Sequence, residues 1–584
     1  MRYEVWAPLA GRVEVVVDGA DHPMRRDPVR EGWWTADAGP DGGDGQRYAF
    51  RLDGGEPLPD PRSRRQPQGP DGPSAVVAPP TWAGTQPWHG RPLAGAVLYE
   101  LHVGTFTREG TFDAAAARLG HLAALGVTHV ELLPVCPFPG THGWGYDGVS
   151  LWAVHEPYGG PAGLRRFVAA AHRHGLGVVL DVVHNHLGPS GNHLSRFGPY
   201  FTDTHTTPWG AAVNLDAPGS DEVRAYLVGS ALAWIRDFRL DGLRLDAVHA
   251  LVDTRAVHFL EELSRAVDAL AHEVGRPLFL IAESDLNDPR TTADREAGGL
   301  GLHAQWSDDF HHALHTALTG ESGGYYADFA RAPLAALART LSGGFFHDGS
   351  HSSFRGRGHG RPWPAGASGH RLLGYAQTHD QIGNRALGDR LTARQLTLAA
   401  ALVLTSPFTP MLFMGEEWGA ATAWQYFTDH PDPALAEAVR TGRRREFAAH
   451  GWDAAEIPDP QDPATRLRSC LDWEEPERAP HDRLLAWYRT LIALRRAEPD
   501  LGSPDLAATA VTYDEADGWL LVRRGSLHVA VNFADVPRTL PLHGGEVLAS
   551  SAELPHGEAA LTLPGWTAAV LRGGQALRGG AVRG

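Results

Sequence analysis

Residues 162–186 read AGLRRFVAAAHRHGLGVVLDVVHNH. The first part places Leu164, Phe167, Val168 and Ala171 at the i, i+3, i+4, i+7 spacing of an amphipathic helix, and Gly175 ends it. The second part, GVVLDVVHNH (177–186), is an apolar run with no polar alternation. A strand of that kind is buried on both faces, as strands of parallel sheets are. It then closes on Asp181, Asn185 and His186.

The same helix-and-strand unit recurs in both directions. Further strand candidates are AVLYELHV (96–103), VTHVELLPV (127–135), GLRLDAVH (242–249), LFLIAES (278–284), GLHAQWSDDF (301–310), LLGYAQTHD (372–380) and PMLFMGEEW (410–418). Helical stretches lie between and after them at 112–126, 223–238, 255–275, 393–404 and 483–499. Eight such units predict an α/β chain built on a closed parallel (β/α)8 TIM barrel rather than an open doubly wound sheet. No glycine fingerprint follows the first strand, so a dinucleotide fold loses its main support.

Short alternating strands flank this region. VEVVV (13–17), WWTADA (33–38) and YAFRLD (48–53), followed by the Pro- and Arg-rich LPDPRSRRQPQGPDGPS (58–74), predict an N-terminal β-sandwich. GWLLVRR, LHVAVNFA and TAAVLRG predict a C-terminal β-sandwich. The expected division is residues 1–90, 91–504 (the barrel with short insertions) and 505–584. The Gly-, His- and Arg-rich stretch 343–369 is expected to be a mobile loop.

The chain has 584 residues, 43% hydrophobic and 21% charged, which is globular composition. Its formal charge of −17 argues against a nucleic-acid or anionic-membrane partner. There is no lysine; all cationic side chains other than histidine are arginine, as GC-rich coding would produce. Cys136 and Cys470 make no disulfide framework. MRYEVWAPLAGRVEVVV lacks the apolar core of a signal peptide, and no apolar run is long enough to span a membrane, so a cytoplasmic protein is expected.

Functional groups of a β/α barrel gather at the C-terminal ends of its strands. Those ends carry Asp181, Asn185 and His186 on the third; Arg244, Asp246 and His249 on the fourth; Glu283, with Asp285 beyond, on the fifth. They carry Asp308 and Asp309 on the sixth, His379 and Asp380 on the seventh, and Glu416 and Glu417 on the eighth. An isolated buried Asp–Arg pair at a strand end is often structural. Four such clusters point to chemistry. Three carboxyls from three strands, Asp246, Glu283 and Asp380, suit acetal cleavage, which needs an ionised carboxylate and a protonated acid. Arg244, two residues before Asp246, shares its face and keeps it ionised. His186 and His379 offer hydrogen bonds to sugar hydroxyls, and Tyr146 offers a ring for a sugar face.

DVVHNH (181–186), DGLRLDAVH (241–249), IAES (281–284) and QTHDQIGN (377–384) resemble, in order and spacing, the four motif regions of the α-amylase superfamily of glycoside hydrolases. The resemblance implies Asp246 as nucleophile, Glu283 as general acid/base and Asp380 as the carboxylate that holds sugar hydroxyls, in a retaining mechanism. It implies sugar contacts from Arg244, His186 and His379. The VWAP start (5–8) is similar to the N-terminal, carbohydrate-binding-like module of branching, debranching and trehalose-forming members. HGWGYDGV (142–149), AQWSDDFHH (304–312), THDQIGNRALGDR (378–390) and GRRREF (442–447) resemble the trehalose-releasing branch. That branch cleaves the α-1,4 bond beside the terminal trehalose of a maltooligosyltrehalose, and a separate maltooligosyltrehalose synthase, its functional partner, makes the substrate. The resemblance implies substrate contacts from Tyr146, Asp147, His249, Asp308, Asp309, Gln381 and Asn384, with Arg385 and WQYFTDH (424–430) holding the trehalose unit. An α-1,4-glucan branching enzyme on the same barrel is the alternative, and a non-catalytic glucan-binding protein a third reading.

No cofactor and no metal is expected. His184, His186, His311, His312 and His315 lack a carboxylate or cysteine at zinc-site spacing, and are expected to face solvent or sugar. Asn185 matches a calcium ligand of many amylases, but the short segment to the helix near 221 makes a hydrogen-bonding role the expectation. Glu416 and Glu417 are expected to cap polar groups at the barrel end, and Trp33, Trp34 and Trp82 to pack in the core rather than form a glycan platform.

Overall fold

The computed structural model describes residues 2–37, 43–79, 81–82, 85–448, 453, 456–555 and 560–576. Eight parallel strands close into a barrel: β1 (Leu98–Leu101), β2 (His129–Leu132), β3 (Gly177–Val182), β4 (Gly242–Leu245), β5 (Phe279–Ala282), β6 (Ala304–Trp306), β7 (Leu372–Gly374) and β8 (Thr409–Phe413). Each pairs with its neighbour in sequence, and β8 returns to β1 through Met411–Leu98, Leu412–Tyr99 and Phe413–Glu100. The predicted α/β class and closed barrel are what the chain adopts.

Period two along the strands builds the interior from an apolar floor to a polar top. Leu98, Val179, Ile281, Ala304 and Leu373 belong to one buried cluster with Phe279 and Met411. Two residues further along the same strands, on the same faces, come Glu100, Asp181, Glu283, Trp306 and Tyr375. The opposite faces meet the surrounding helices, chiefly Gly160–Arg173, Ser220–Phe238, Phe259–Val274, Ala393–Thr405 and His481–Ala497.

Several expected elements are shorter or of another kind. The stretch 112–126 forms two helices, Phe112–Ala116 and Leu119–Leu125. Asp308 and Asp309 open the helix Asp308–Thr319 rather than end a strand, where their charge suits the N-terminal dipole. His379 and Asp380 likewise lie in a short helix, His379–Gly383, with Thr378 accepting from the Gln381 N–H at its start. The stretch 343–369 is a packed connection, not the expected mobile loop. It carries a ladder, His351–Ser352 with Arg357–Gly358, and buries Phe345, His347, His359 and Trp363.

At the N-terminal side, Arg2–Trp6, Trp33–Asp37 and Arg25–Arg26 form one antiparallel sheet. Ala20–Pro23, Val13–Val17, Arg47–Leu52 and Pro57–Leu58 form another. Their buried faces merge with the barrel's outer core. Trp33 and Trp34 are buried there, and the Trp34 indole donates to the Ala7 carbonyl at 3.0 Å, so both serve packing. At the C-terminal side, Thr509–Asp514, Trp519–Arg524, Leu527–Asn532, Thr567–Arg572 and Glu546–Ser550 make a five-stranded antiparallel sheet, with two short ladders beside it. Among the described residues no helix is long and apolar enough to cross a membrane.

Candidate active site

Arg244 is the hub at the C-terminal mouth of the barrel. Its guanidinium is fully buried, and its Nη1 donates to Asp181 Oδ2 at 2.6 Å and to Asp246 Oδ1 at 2.9 Å. Nη2 lies 2.9 Å from Glu283 Oε2. The Trp306 ring, from β6, covers the guanidinium at 4.3 Å. One cation on β4 thus gathers an acid from within β3 and acids from just beyond β4 and β5.

The two nearest acids are poised in opposite directions. Burial alone would raise the Asp246 carboxyl, but Arg244 and the Asn185 amide, which donates to Asp246 Oδ2 at 2.7 Å, outweigh it and hold it below the usual range. Burial pushes Glu283 well above the usual range, and the charges of Asp246 and Asp380 add to the push against Arg244. Glu283 Oε2 also accepts the Ala247 N–H at 2.7 Å, presented by a left-handed turn (φ 40°) directly after Asp246. A non-glycine residue there is strained, and such strain is retained where surrounding contacts over-determine it. The pair therefore offers a held carboxylate and a protonated acid, the two groups that acetal cleavage requires.

Asp380 stands across from them, its side chain 38% exposed. It follows His379, whose ring is locked between Glu100 Oε1 (2.6 Å from Nδ1) and the Tyr146 hydroxyl (2.7 Å from Nε2). The Tyr146 hydroxyl donates onward to Asp181 Oδ2 at 2.6 Å, and its ring stacks on His379 with centroids 5.1 Å apart. Gly383 closes this turn because a Cβ there would lie 2.0 Å from the Trp144 ring.

A cavity of about 230 Å³ opens in front of Glu283 and Asp380. Asp285, Trp306, Asp308, His312, Gln381 and Asn384 line it, with Tyr325, Phe354 and Arg355 also in its wall. The Tyr325 and Phe354 rings meet edge to face at 5.9 Å, and Arg355 pairs with Asp285 at 2.8 Å. Burial raises the Asp308 carboxyl to about 6, and the Tyr375 hydroxyl donates to it.

The structure gathers Asp246, Glu283, Asp380, Arg244, Tyr146, His379, Asp308, Gln381 and Asn384 at this mouth. It places the other expected contacts differently. Asp309 is buried; its Oδ2 accepts from the Phe346 and His347 N–H groups at 2.8 Å each and from Asn287 at 2.7 Å, so it anchors the 343–369 connection. Arg385 lies outside the cavity wall, its donors taken by Glu321 (2.8 Å) and Asp389 (2.8 Å). His186 has both ring nitrogens engaged, with Asn185 Oδ1 at 2.5 Å and the Tyr146 carbonyl at 3.1 Å. Its ring stacks on Trp209, which is 50% exposed on the hairpin after β3. His249 reaches Asp285 at 3.9 Å, and Asp147 reaches His430 at the same distance. In the 424–430 segment Trp424 is buried, stacks on Trp144 and donates to the His379 carbonyl. That segment braces the site from behind.

His311, His312 and His315 do not face solvent as one expectation had it. All three are buried, packed against Tyr325, Tyr326 and Tyr375. Asn185 donates to the Asp246 carbonyl as well as its carboxylate. Among the described residues no group of three or more His, Cys, Asp or Glu is arranged to hold a metal ion. Sequence reading did not single out Trp306, Tyr325, Phe354, Arg355 or Glu100. Glu100 alone left a signal, as an acid in the middle of an apolar barrel strand.

Comparison with known proteins gives a consistent picture. The family model described as "Alpha amylase, catalytic domain" matches residues 83–198, and a "Domain of unknown function" model matches 504–570. The chain is 56% identical to the malto-oligosyltrehalose trehalohydrolase of Arthrobacter ramosus, over 98% of this chain and 99% of that one. It is 30% identical to a 1,4-alpha-glucan branching enzyme of Xanthomonas oryzae pv. oryzae, over 74% of this chain and 62% of that one. A crystal structure of a putative alpha amylase from Salmonella typhimurium superposes with a TM-score of 0.88 at 38% identity, covering 98% and 97% of the two chains.

Proposed function

The chain belongs to the malto-oligosyltrehalose trehalohydrolases, glycoside hydrolases of the α-amylase superfamily, and from that premise we propose how its own residues divide the reaction. The substrate is a maltooligosyltrehalose, and the bond cleaved is the α-1,4 linkage beside its terminal trehalose. Glu283 protonates the glycosidic oxygen while Asp246 attacks the anomeric carbon. The C–O bond breaks, trehalose leaves with the proton, and the maltooligosyl chain is carried as an ester on Asp246. Glu283, now ionised, takes a proton from water, which attacks the same carbon and frees the maltooligosaccharide with retained configuration. Asp380 holds hydroxyls of the reacting sugar, and Asp308, Gln381 and Asn384 supply polar contacts along the cavity wall.

The observation that carries this reading is the single buried guanidinium of Arg244 against both Asp246 and Glu283 at 2.9 Å. Two acids on one guanidinium are close together, as a nucleophile and an acid/base must be in a retaining site, where water-separated pairs stand further apart. The branching alternative keeps the same carboxylates; identity of 56% to a trehalohydrolase against 30% to a branching enzyme favours hydrolysis. The same reading puts the chain in the cytoplasm beside its glucan, working after the synthase that installs the trehalose end, and divides it at about residues 90 and 505.

The test is a product assay on a maltooligosyltrehalose and on the matching plain maltooligosaccharide, following trehalose, reducing ends and branch points. Trehalose release from the first with little attack on the second is expected. New branch points without net hydrolysis would replace this reading with the transferase.

A further inference from the structure

We propose that Glu100, from inside β1, is a positioning residue for the glycosidic chemistry. It fixes His379 by both ring and backbone, so that the ring's far N–H is aimed at Tyr146 with Asp380 beside it. This rests on the reading of Asp246, Glu283 and Asp380 given above, and adds to it a residue that touches none of the reacting atoms.

The geometry is specific. Glu100 and His379 are each only 1% exposed. Glu100 Oε1 lies 2.6 Å from His379 Nδ1, and Oε2 accepts the His379 backbone N–H at 3.0 Å. One carboxylate therefore caps the first turn of the helix His379–Gly383 and orients the first side chain of that helix. With Nδ1–H given to Glu100, Nε2–H points to the Tyr146 hydroxyl at 2.7 Å, with Asp380 Oδ1 at 3.6 Å. Tyr146 passes the order on by donating to Asp181, itself held by Arg244. The chain Glu100–His379–Tyr146–Asp181–Arg244 runs from β1 to β4 under the site and sets where the Tyr146 ring and the Asp380 carboxylate stand.

The charge state follows from what faces the ring. Burial would lower the imidazole, but the carboxylates of Glu100 and Asp380 outweigh it and raise His379 to about 9. Arg244 opposes them, while the nearby His102, lowered by burial to about 3, carries no charge at neutral pH and does not. Asp246 and Asp181 contribute negative charge from β4 and β3. Glu131 faces the same space from β2, and burial pushes its carboxyl well above the usual range, which disfavours its charged form. Trp144, Trp306 and Trp424 supply ring faces or a hydrogen bond and do not titrate. Glu100 is thus the carboxylate in direct contact with Nδ1, and without it the imidazolium loses its strongest support.

The experiment compares wild type, Glu100→Gln, His379→Gln and the double variant in trehalose release from pH 5 to 9. Glu100→Gln keeps an acceptor for the backbone N–H but removes the charge. It is expected to lose tenfold or more in kcat at pH 8, less at pH 5.5, with KM within a few-fold, so that a new alkaline limb opens below that of wild type. The double variant should be no slower than His379→Gln, because Glu100 acts through that ring. A loss that is equal at every pH, or losses that multiply in the double variant, would overturn the proposal. A second reading needs only His379→Gln as the reference for assignment and survives a failure of the Glu100 variants to fold. The 15N signals of the His379 ring, assigned by their absence in His379→Gln, should report imidazolium at pH 8; a neutral ring overturns it. That signal needs no substrate, so absence of trehalose release by wild type would defeat the substrate reading and leave this one standing.

Discussion

Asp246 and Glu283 follow β4 and β5, and Glu416 and Glu417 follow β8; all four acids stand just beyond the C-terminal ends of strands of one barrel. Glu416 and Glu417 are 0% exposed. Glu417 accepts from the Tyr99 hydroxyl, 3.2 Å from each oxygen, and lies 2.9 Å from His121. Glu416 accepts from the Tyr488 hydroxyl at 3.0 Å and from the Phe413 N–H at 3.3 Å. By contrast, the Asp246 and Glu283 side chains keep 10% and 19% of their surface, and part of their hydrogen-bonding capacity is not met from within. An acid side chain and a strand-end position are shared by the two pairs. What separates them is whether the protein or an incoming molecule completes the carboxyl's hydrogen bonds.

The largest expected effects break this contrast from the reactive side. Glu283→Gln and Asp246→Asn should each lower kcat for trehalose release by at least ~10³-fold, the scale of general acid–base and nucleophilic contributions. Oligosaccharide binding by calorimetry should persist. The pH profile of wild-type kcat/KM should be wide. Its acid limb lies below the usual aspartate range because Asp246 is held down, and its alkaline limb lies above the usual glutamate range because Glu283 must keep its proton and is pushed up. An alkaline limb near the ordinary carboxyl range would remove Glu283 as the acid.

Removing the hub comes next. Arg244→Met leaves Asp181, Asp246 and Glu283 facing one another without their cation. Deleting one partner of a buried ionic cluster costs about 3–5 kcal/mol, so a fall of several degrees in thermal midpoint should accompany loss of turnover. An unchanged midpoint would mean that the three acids do not depend on Arg244.

On the structural side, Glu416→Gln should leave kcat close to wild type and change the pH dependence of stability. Burial raises Glu416 from 4.5 to about 7. The folded chain keeps this proton where the unfolded chain releases it, so stability falls as pH rises from about 4.5 to about 7 and is flat above. That slope amounts to at most about 3.5 kcal/mol, at ~1.4 kcal/mol per pKa unit. The glutamine variant should lack this part of the slope in denaturant titrations at pH 5 and 7.5. Collapse of kcat in this variant would erase the distinction between the two pairs.

These contrasts also mark how far the sequence can be read. The strands were legible because a barrel buried on both faces demands apolar runs such as VVLDVV, and the acids that end them interrupt those runs visibly. Asp246 and Glu283 were picked out for that reason; Asp380, taken as a strand end, lies in the short helix His379–Gly383 beyond β7. The far wall was not: Tyr325 lies in GGYYAD and Phe354 in SSFRGR, connections without periodicity that only tertiary packing brings together. For His311 and His315 the solvent half of the expectation misled, because stacking on Tyr375 and Tyr326 buries them, whereas His312, stacked on Tyr325, lines the cavity. Position beyond a strand end does not separate Asp308, in the cavity, from Asp309, turned to the Phe346 and His347 amides, since adjacent residues at a helix start face different ways.

Arg385 gives the smallest and sharpest test of the same rule. It follows the THDQIGN segment closely, so sequence alone makes it a substrate contact, yet Glu321 and Asp389 already occupy its guanidinium. A residue whose donors are met from within should behave like Glu416, not like Glu283. Its side chain is 30% exposed, so solvent screens the pairs, and Arg385→Gln should cost no more than about 1 kcal/mol. Both kcat and KM for trehalose release should stay within about threefold of wild type, with a difference that shrinks as salt is added. A tenfold rise in KM at unchanged thermal midpoint would show that Arg385 leaves Glu321 for the substrate, and that an internally satisfied donor can still serve the site.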